Sequence, residues 1–210
     1  MIARLRGVVG RLFDPLAGLL IRLGVSADAV TVAATLGVVV VALWLLPTGH
    51  LLAGGIALTV LALGDALDGA VARKAGTTGP WGAFLDSTLD RVADGAIFIG
   101  IAAYFWVQLG GTVRSAGVVA ALSSLVLGYL VSYARARAES LGFTAAVGIA
   151  ERGERLVVAI TGCYLVGFGL DPWVMVVLLG LLAVASLVTA LQRIGTVRRQ
   201  ARAAVGGGAA

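Results

Sequence analysis

The chain has 210 residues, 60% of them hydrophobic and 13% charged, with a formal net charge of +5 and a mean hydropathy of +1.01. Soluble domains carry about 25% charged residues, so an ordinary soluble fold is excluded and an all-α membrane protein is expected. In so apolar a chain the basic excess fits anionic lipid head groups, and no nucleic-acid partner is expected. Residues 1–24 are a juxtamembrane unit, in which Ile2, Leu5, Val9, Leu12 and Phe13 form one helical stripe with Arg4 and Arg11 off it. That is the pattern of a basic amphipathic helix lying on the membrane surface. Asp14-Pro15 then reads as an N-cap and first helical residue. This break and Arg22 interrupt the apolar stretch and argue against a cleaved signal peptide.

Residues 25–200 form the membrane domain. A span needs roughly 20 mostly apolar residues, and six stretches qualify: 29–47, 51–74, 81–107, 115–139, 152–168 and 173–196. Ser26 or Asp28 caps the first, and Pro47-Thr48-Gly49 closes it. His50 falls in that turn without a partner for zinc, and Cys163, alone in the fifth span, excludes an intrachain disulfide and a cysteine metal cluster. Residues 141–150 form a loop, and residues 201–210 are expected to be a disordered tail. Arg4, Arg6, Arg11, Arg22, Arg73, Lys74, Arg135, Arg137, Arg152, Arg155, Arg193, Arg198, Arg199 and Arg202 fall on one side of this topology, with Arg114 on the other. Both termini and the turn between the second and third spans are therefore expected in the cytoplasm.

Four carboxylates stand in two of the apolar stretches, Asp65 and Asp68 in the second, Asp86 and Asp90 in the third. On a helix each pair shares one face. With the turn centred near residues 77–78, two antiparallel helices bring all four to a similar level, roughly 10–20 Å from it. Such acids repel unless cations are present or most are protonated. Oxygen-only ligands select Mg²⁺ or Mn²⁺, and two metals in one carboxylate cluster suit displacement at phosphorus. The same acids serve a divalent-cation transporter equally well, or pair with Arg73 and Arg91. Gly69, Ala72 and Gly82 shift the balance, because they leave bare backbone beside the acids for a phosphate-bearing ligand; their plainer role is close helix packing.

The full spacing is Asp65-x-x-Asp68-Gly69-x-x-Ala72-Arg73, eight residues, then Gly82-x-x-x-Asp86-x-x-x-Asp90. It resembles the signature of the CDP-alcohol phosphotransferases, with every signature position filled. The resemblance implies attack by an alcohol at the β-phosphorus of a CDP-linked lipid, releasing CMP. It implies Asp65, Asp68, Asp86 and Asp90 as ligands of two divalent cations, and Asp90 also as the base that accepts the alcohol proton. Gly69, Ala72 and Arg73, with Asp68, Gly82 and Thr31, would line the site for CDP-diacylglycerol, and a homodimer in the cell (plasma) membrane is implied as well. Chemistry agrees: a metal-adjacent carboxylate can take the proton of a poor nucleophile, and a guanidinium matches diphosphate oxygens.

Ser132-Tyr133-Ala134-Arg135-Ala136-Arg137-Ala138-Glu139, Ile149-Ala150-Glu151-Arg152-Gly153-Glu154-Arg155-Leu156 and Gln192-Arg193 look like the actinobacterial phosphatidylinositol-phosphate synthases. The implied acceptor is myo-inositol 1-phosphate, with Arg135, Arg155 and Arg193, and Arg152 beside them, as the acceptor-phosphate clamp. Cationic groups so placed need an anionic partner, although they also obey the positive-inside bias. Glu151 and Glu154 are placed to orient them through ion pairs. Glycerol 3-phosphate, which would make the chain a phosphatidylglycerophosphate synthase, is the nearest alternative acceptor. A divalent-cation transporter is the alternative of another class.

Overall fold

The computed structural model describes residues 15–206, except for the side chains of Leu63, Asp65, Ala66, Asp68, Val205 and Gly206. The surface helix expected over residues 2–13, and the Asp14 cap, lie outside the described residues. Every regular element within them is helical: α1 (15–22), α2 (Ala27–Trp44), α3 (Leu51–Ala75), α4 (Pro80–Gln108), α5 (Gly111–Ser140), α6 (Arg152–Gly167) and α7 (Trp173–Gly206). The ends follow local chemistry. The Ser26 hydroxyl accepts from Ala29 N–H at 3.2 Å and caps α2, leaving Asp28 to accept from Trp81 Nε1 at 2.9 Å and tie α2 to α4. Gly76 takes the left-handed conformation that closes α3, and Pro80 opens α4 after a short turn.

Three helices among the described residues are long and apolar enough to cross a membrane: α2, residues Gly111–Ser140 of α5, and Trp173–Ala204 of α7. The other expected spans are helices too, but charge or length sets them apart. Asp65, Asp68, Arg73 and Lys74 load the second half of α3, whose apolar part is Leu51–Ala62. Asp86, Asp90, Arg91 and Asp94 load the first half of α4, and α6 has only 16 residues. Large apolar side chains such as Leu36, Val60, Ile99, Val126, Leu181 and Val184 face outward, as a bilayer allows and water does not. The chain is a membrane protein.

The core is centred on the second half of α4, where Ile97, Phe98, Ile101 and Phe105 meet Ala42 of α2, Leu46 of the turn after it, Ala121 of α5, Cys163 of α6 and Met175 and Leu179 of α7. Small residues set the helix spacing. A Cβ at Gly100 would land on the Ala42 carbonyl, and one at Gly117 within the Phe105 ring. The Ser124 hydroxyl donates to Leu179 O at 2.9 Å, satisfying itself across the α5–α7 contact. Gly100→Ala is expected to lower stability by about 1–3 kcal/mol through overpacking, read as a lower Tm in detergent.

Two features go beyond the sequence reading. α3 and α4 do not run side by side: among the described residues α3 packs mainly on α2 and α6, and α4 on α2 and α5. The turn at residues 76–79 thus opens into a cleft, with α2 between the two arms. The tail also begins later than residue 201, because α7 stays helical through Gly206. Ala201, Arg202, Ala203 and Ala204 are good helix formers, and Gln200 Nε2 donates to Thr144 O at 2.6 Å, anchoring this end to the α5–α6 loop.

Candidate active site

The cleft opened by the α3–α4 turn is a cavity of about 410 Å³, with Thr31 on α2, Gly69 and Ala72 on α3, Gly82 and Asp86 on α4, and Arg152 on α6 among its walls. Gly69 and Ala72 share a face at i,i+3, as do Gly82 and Asp86 at i,i+4, so both walls present bare backbone to the space between them. Among the described residues, no atom outside its own turn of helix lies within 4 Å of where a Cβ on Gly82 would stand. Arg73 is exposed, and its Nη1 lies 3.0 Å from the Cβ position of Gly69, so its guanidinium folds back over this wall. Thr31 lines the cavity while its hydroxyl donates to Ala27 O at 3.1 Å. It is thus both a wall residue and a helix-start hydroxyl.

One turn beyond Asp86, Asp90 sits between two guanidiniums. Arg152 Nη2 lies 2.8 Å from its Oδ1, and Arg91 Nη2 lies 3.6 Å from its Oδ2. Asp90 and Arg152 then open onto a second cavity of about 490 Å³, whose wall also carries Arg135, Glu151, Arg155 and Arg193. All four arginines of the expected clamp therefore line one space. They differ in what holds them. Arg193 is buried, with Nε on Val147 O at 2.9 Å, Nη1 on Val131 O at 2.8 Å and Nη2 on Glu151 Oε1 at 3.3 Å. Arg135 is exposed and pairs with Glu139 at 2.9 Å and Glu151 at 3.9 Å. Glu151 orients two members of the cluster, as expected; among the described residues no such contact is seen for Glu154.

Arg155 is 1% exposed and binds Asp94 Oδ2 through Nη2 at 2.8 Å, while Arg152 Nε reaches Asp94 Oδ1 at 3.4 Å. Asp94 is itself 2% exposed, so two arginines share one buried carboxylate. No role was assigned to Asp94 from the sequence. The signal was present, because Asp86, Asp90 and Asp94 recur every fourth residue along one face of α4.

The side chains of Asp65 and Asp68 lie outside the described residues, although both positions fall on α3, about a turn or less from Gly69. No group of three or more metal-ligating side chains is assembled among the described residues. Asp86 is exposed on the first cavity wall and Asp90 lies a turn away. This oxygen-only pair suits a hard divalent cation.

The chain is similar to several known proteins. The phosphatidylinositol phosphate synthase of Streptomyces avermitilis is 45% identical over 202 residues, covering 93% of this chain and 81% of that protein. The synthase of the same name from Mycobacteroides abscessus is 44% identical over 194 residues, covering 92% and 86%. Among solved structures, the Mycobacterium tuberculosis phosphatidylinositol phosphate synthase with CDP-DAG bound superposes with a TM-score of 0.82 at 41% identity, covering 89% of this chain and 94% of that one. The same enzyme in complex with manganese and citrate gives 0.81, covering 88% of each. A family model described as CDP-alcohol phosphatidyltransferase matches residues 24–189, and the chain belongs to that family.

Proposed function

We propose that this enzyme transfers the phosphatidyl group of CDP-diacylglycerol to myo-inositol 1-phosphate, giving phosphatidylinositol phosphate and CMP. The observation that carries the reading is the pair of cavities meeting at Arg152, one glycine-walled with a carboxylate, the other lined with arginine. The first suits a diphosphate beside metal ligands; the second suits a phosphorylated alcohol. The names of the relatives and the CDP-DAG bound in the superposed structure support the choice of substrates.

Gly69, Ala72, Gly82 and Thr31, with Asp68 and Arg73, bind the CDP moiety. Arg135, Arg155 and Arg193 bind the acceptor phosphate, and Arg152 stands between the two substrates. Asp90 takes the proton of the acceptor hydroxyl as its oxygen bonds to the β-phosphorus and the bond to the CMP oxygen breaks. Asp65, Asp68, Asp86 and Asp90 would hold two Mg²⁺ or Mn²⁺ ions, which when bound would supply positive charge to neutralise and polarise the diphosphate. Manganese in the superposed relative supports the cation class.

In the same reading residues 1–24 lie on the membrane surface, and residues 25–200 form six spans in the plasma membrane, charged α3, α4 and α6 included. Both termini and the two cavities face the cytoplasm, supported by the arginine distribution, and two copies pair as a homodimer.

Purified enzyme is expected to release CMP from CDP-diacylglycerol with inositol 1-phosphate. Free inositol should fail to substitute, EDTA should stop turnover, and Mg²⁺ or Mn²⁺ should restore it. Glycerol 3-phosphate outcompeting inositol phosphate would overturn the acceptor. No CMP with any alcohol, together with metal flux into liposomes, would overturn the enzyme in favour of a transporter.

A further inference from the structure

We infer that Asp94 is a positioning residue that holds Arg152 and Arg155 in one arrangement and so couples the acceptor-phosphate site to the base Asp90. The inference rests on the functional reading above. Asp94 sits at the core end of the charged half of α4, just before the run of buried apolar residues that begins at Ala96. Its two oxygens are divided between the two guanidiniums, Oδ2 to Arg155 Nη2 at 2.8 Å and Oδ1 to Arg152 Nε at 3.4 Å. Arg152 then extends its Nη2 to Asp90 Oδ1 at 2.8 Å. The chain of contacts therefore runs Arg155–Asp94–Arg152–Asp90, from the wall of the acceptor cavity to the proposed base.

The surroundings are built for this arrangement. Arg155 lies against Gly128 of α5, where a Cβ would come within 2.9 Å of Nε and 3.1 Å of Cδ. Arg155 Nη1 reaches Ala150 O at 3.5 Å, while its buried Nε has no hydrogen-bond partner among the described residues. On the other side of Asp94, Gly95 accommodates Tyr129, whose hydroxyl donates to Arg91 O at 2.5 Å. A buried ion pair between two groups alone is weak evidence for stability. One carboxylate shared by two arginines of the acceptor cavity, one of which also reaches Asp90, is an orienting device. With Asp94 in place each guanidinium is held by its own oxygen of one carboxylate.

The test measures CMP release by the full-length enzyme in lipid vesicles, with inositol 1-phosphate and CDP-diacylglycerol varied separately. Asp94→Asn keeps the shape and removes the charge. It is expected to raise the acceptor KM at least tenfold and lower kcat at least tenfold, with the KM for CDP-diacylglycerol within twofold of wild type. Gly128→Ala displaces Arg155 without touching Asp94 or Arg152. It is expected to raise the acceptor KM at least fivefold, with kcat within threefold. A merely structural Asp94 would reduce the yield of folded enzyme and leave both KM values unchanged, and that result overturns the inference. If Asp94→Asn does not fold, Gly128→Ala decides, because an unchanged acceptor KM overturns it as well. Failure of the wild-type enzyme to use inositol 1-phosphate would instead defeat the functional reading.

Discussion

Asp90→Asn is expected to cut CMP release by about a thousandfold or more, with CDP-lipid binding still measurable. Asparagine has the same shape, so α4 and its packing are untouched, and the oxygen facing Arg152 Nη2 at 2.8 Å is retained. What disappears is the charge. An amide cannot accept the hydroxyl proton, and general-base removal alone costs roughly 10²–10⁴ in rate. It is also a poorer ligand for a hard cation. The Arg152 and Arg91 guanidiniums flanking position 90 lose their counter-charge as well, which weakens their hold on this turn of the helix. Single-turnover CMP release, paired with equilibrium binding of CDP-diacylglycerol, checks the split. Near-normal turnover would refute the base assignment.

Gly82→Leu is expected to weaken CDP-diacylglycerol binding at least a hundredfold while leaving Tm equal to or above wild type. The two effects separate because of where Gly82 sits. It is inside the first turn of a regular helix, with no described atom outside that turn within 4 Å of its Cβ position. Leucine is a better helix former than glycine by about 1 kcal/mol, so the fold gains or is indifferent. The isobutyl group, however, enters the cleft that Gly69 and Ala72 also line and takes the volume proposed for the nucleotide. Thermal unfolding and CDP-lipid binding on one preparation read both sides. Wild-type affinity would remove the nucleotide from this cleft.

The helical elements were legible because hydropathy and punctuation act locally. Ser26 and Pro47-Thr48-Gly49 mark ends that a few neighbouring residues determine, and the expected spans agree with the helices to within a few residues except at the chain's end. There, helix propensity and the Gln200–Thr144 contact extend α7 beyond the apolar stretch. The divergence of α3 and α4 was not legible. A short turn between two apolar stretches implies antiparallel neighbours, and only the packing of α2 against both reveals the cleft.

The arginine cluster was legible as charge but not as architecture. Arg155 and Asp94 are 61 positions apart, and Arg193 and Val131 are 62 apart; no periodicity connects residues so distant. Asp94 lay in plain view on the same face as Asp86 and Asp90. Its burial, which separates it from its two neighbours, is a property of the assembled bundle.

The two cavities that meet at Arg152 also bear on stereochemistry. The CDP-lipid is assigned to one and the acceptor to the other, and Asp90 opens onto the acceptor side. A reaction across that partition brings both substrates together before any bond changes, with the entering oxygen and the departing CMP on different sides of the phosphorus. The consequence is a single inversion at phosphorus. A CDP-lipid made chiral at the β-phosphorus with oxygen isotopes and sulfur would give product of the opposite configuration. Retention would require a covalent phosphatidyl-enzyme, and with it two displacements where the partition provides for one.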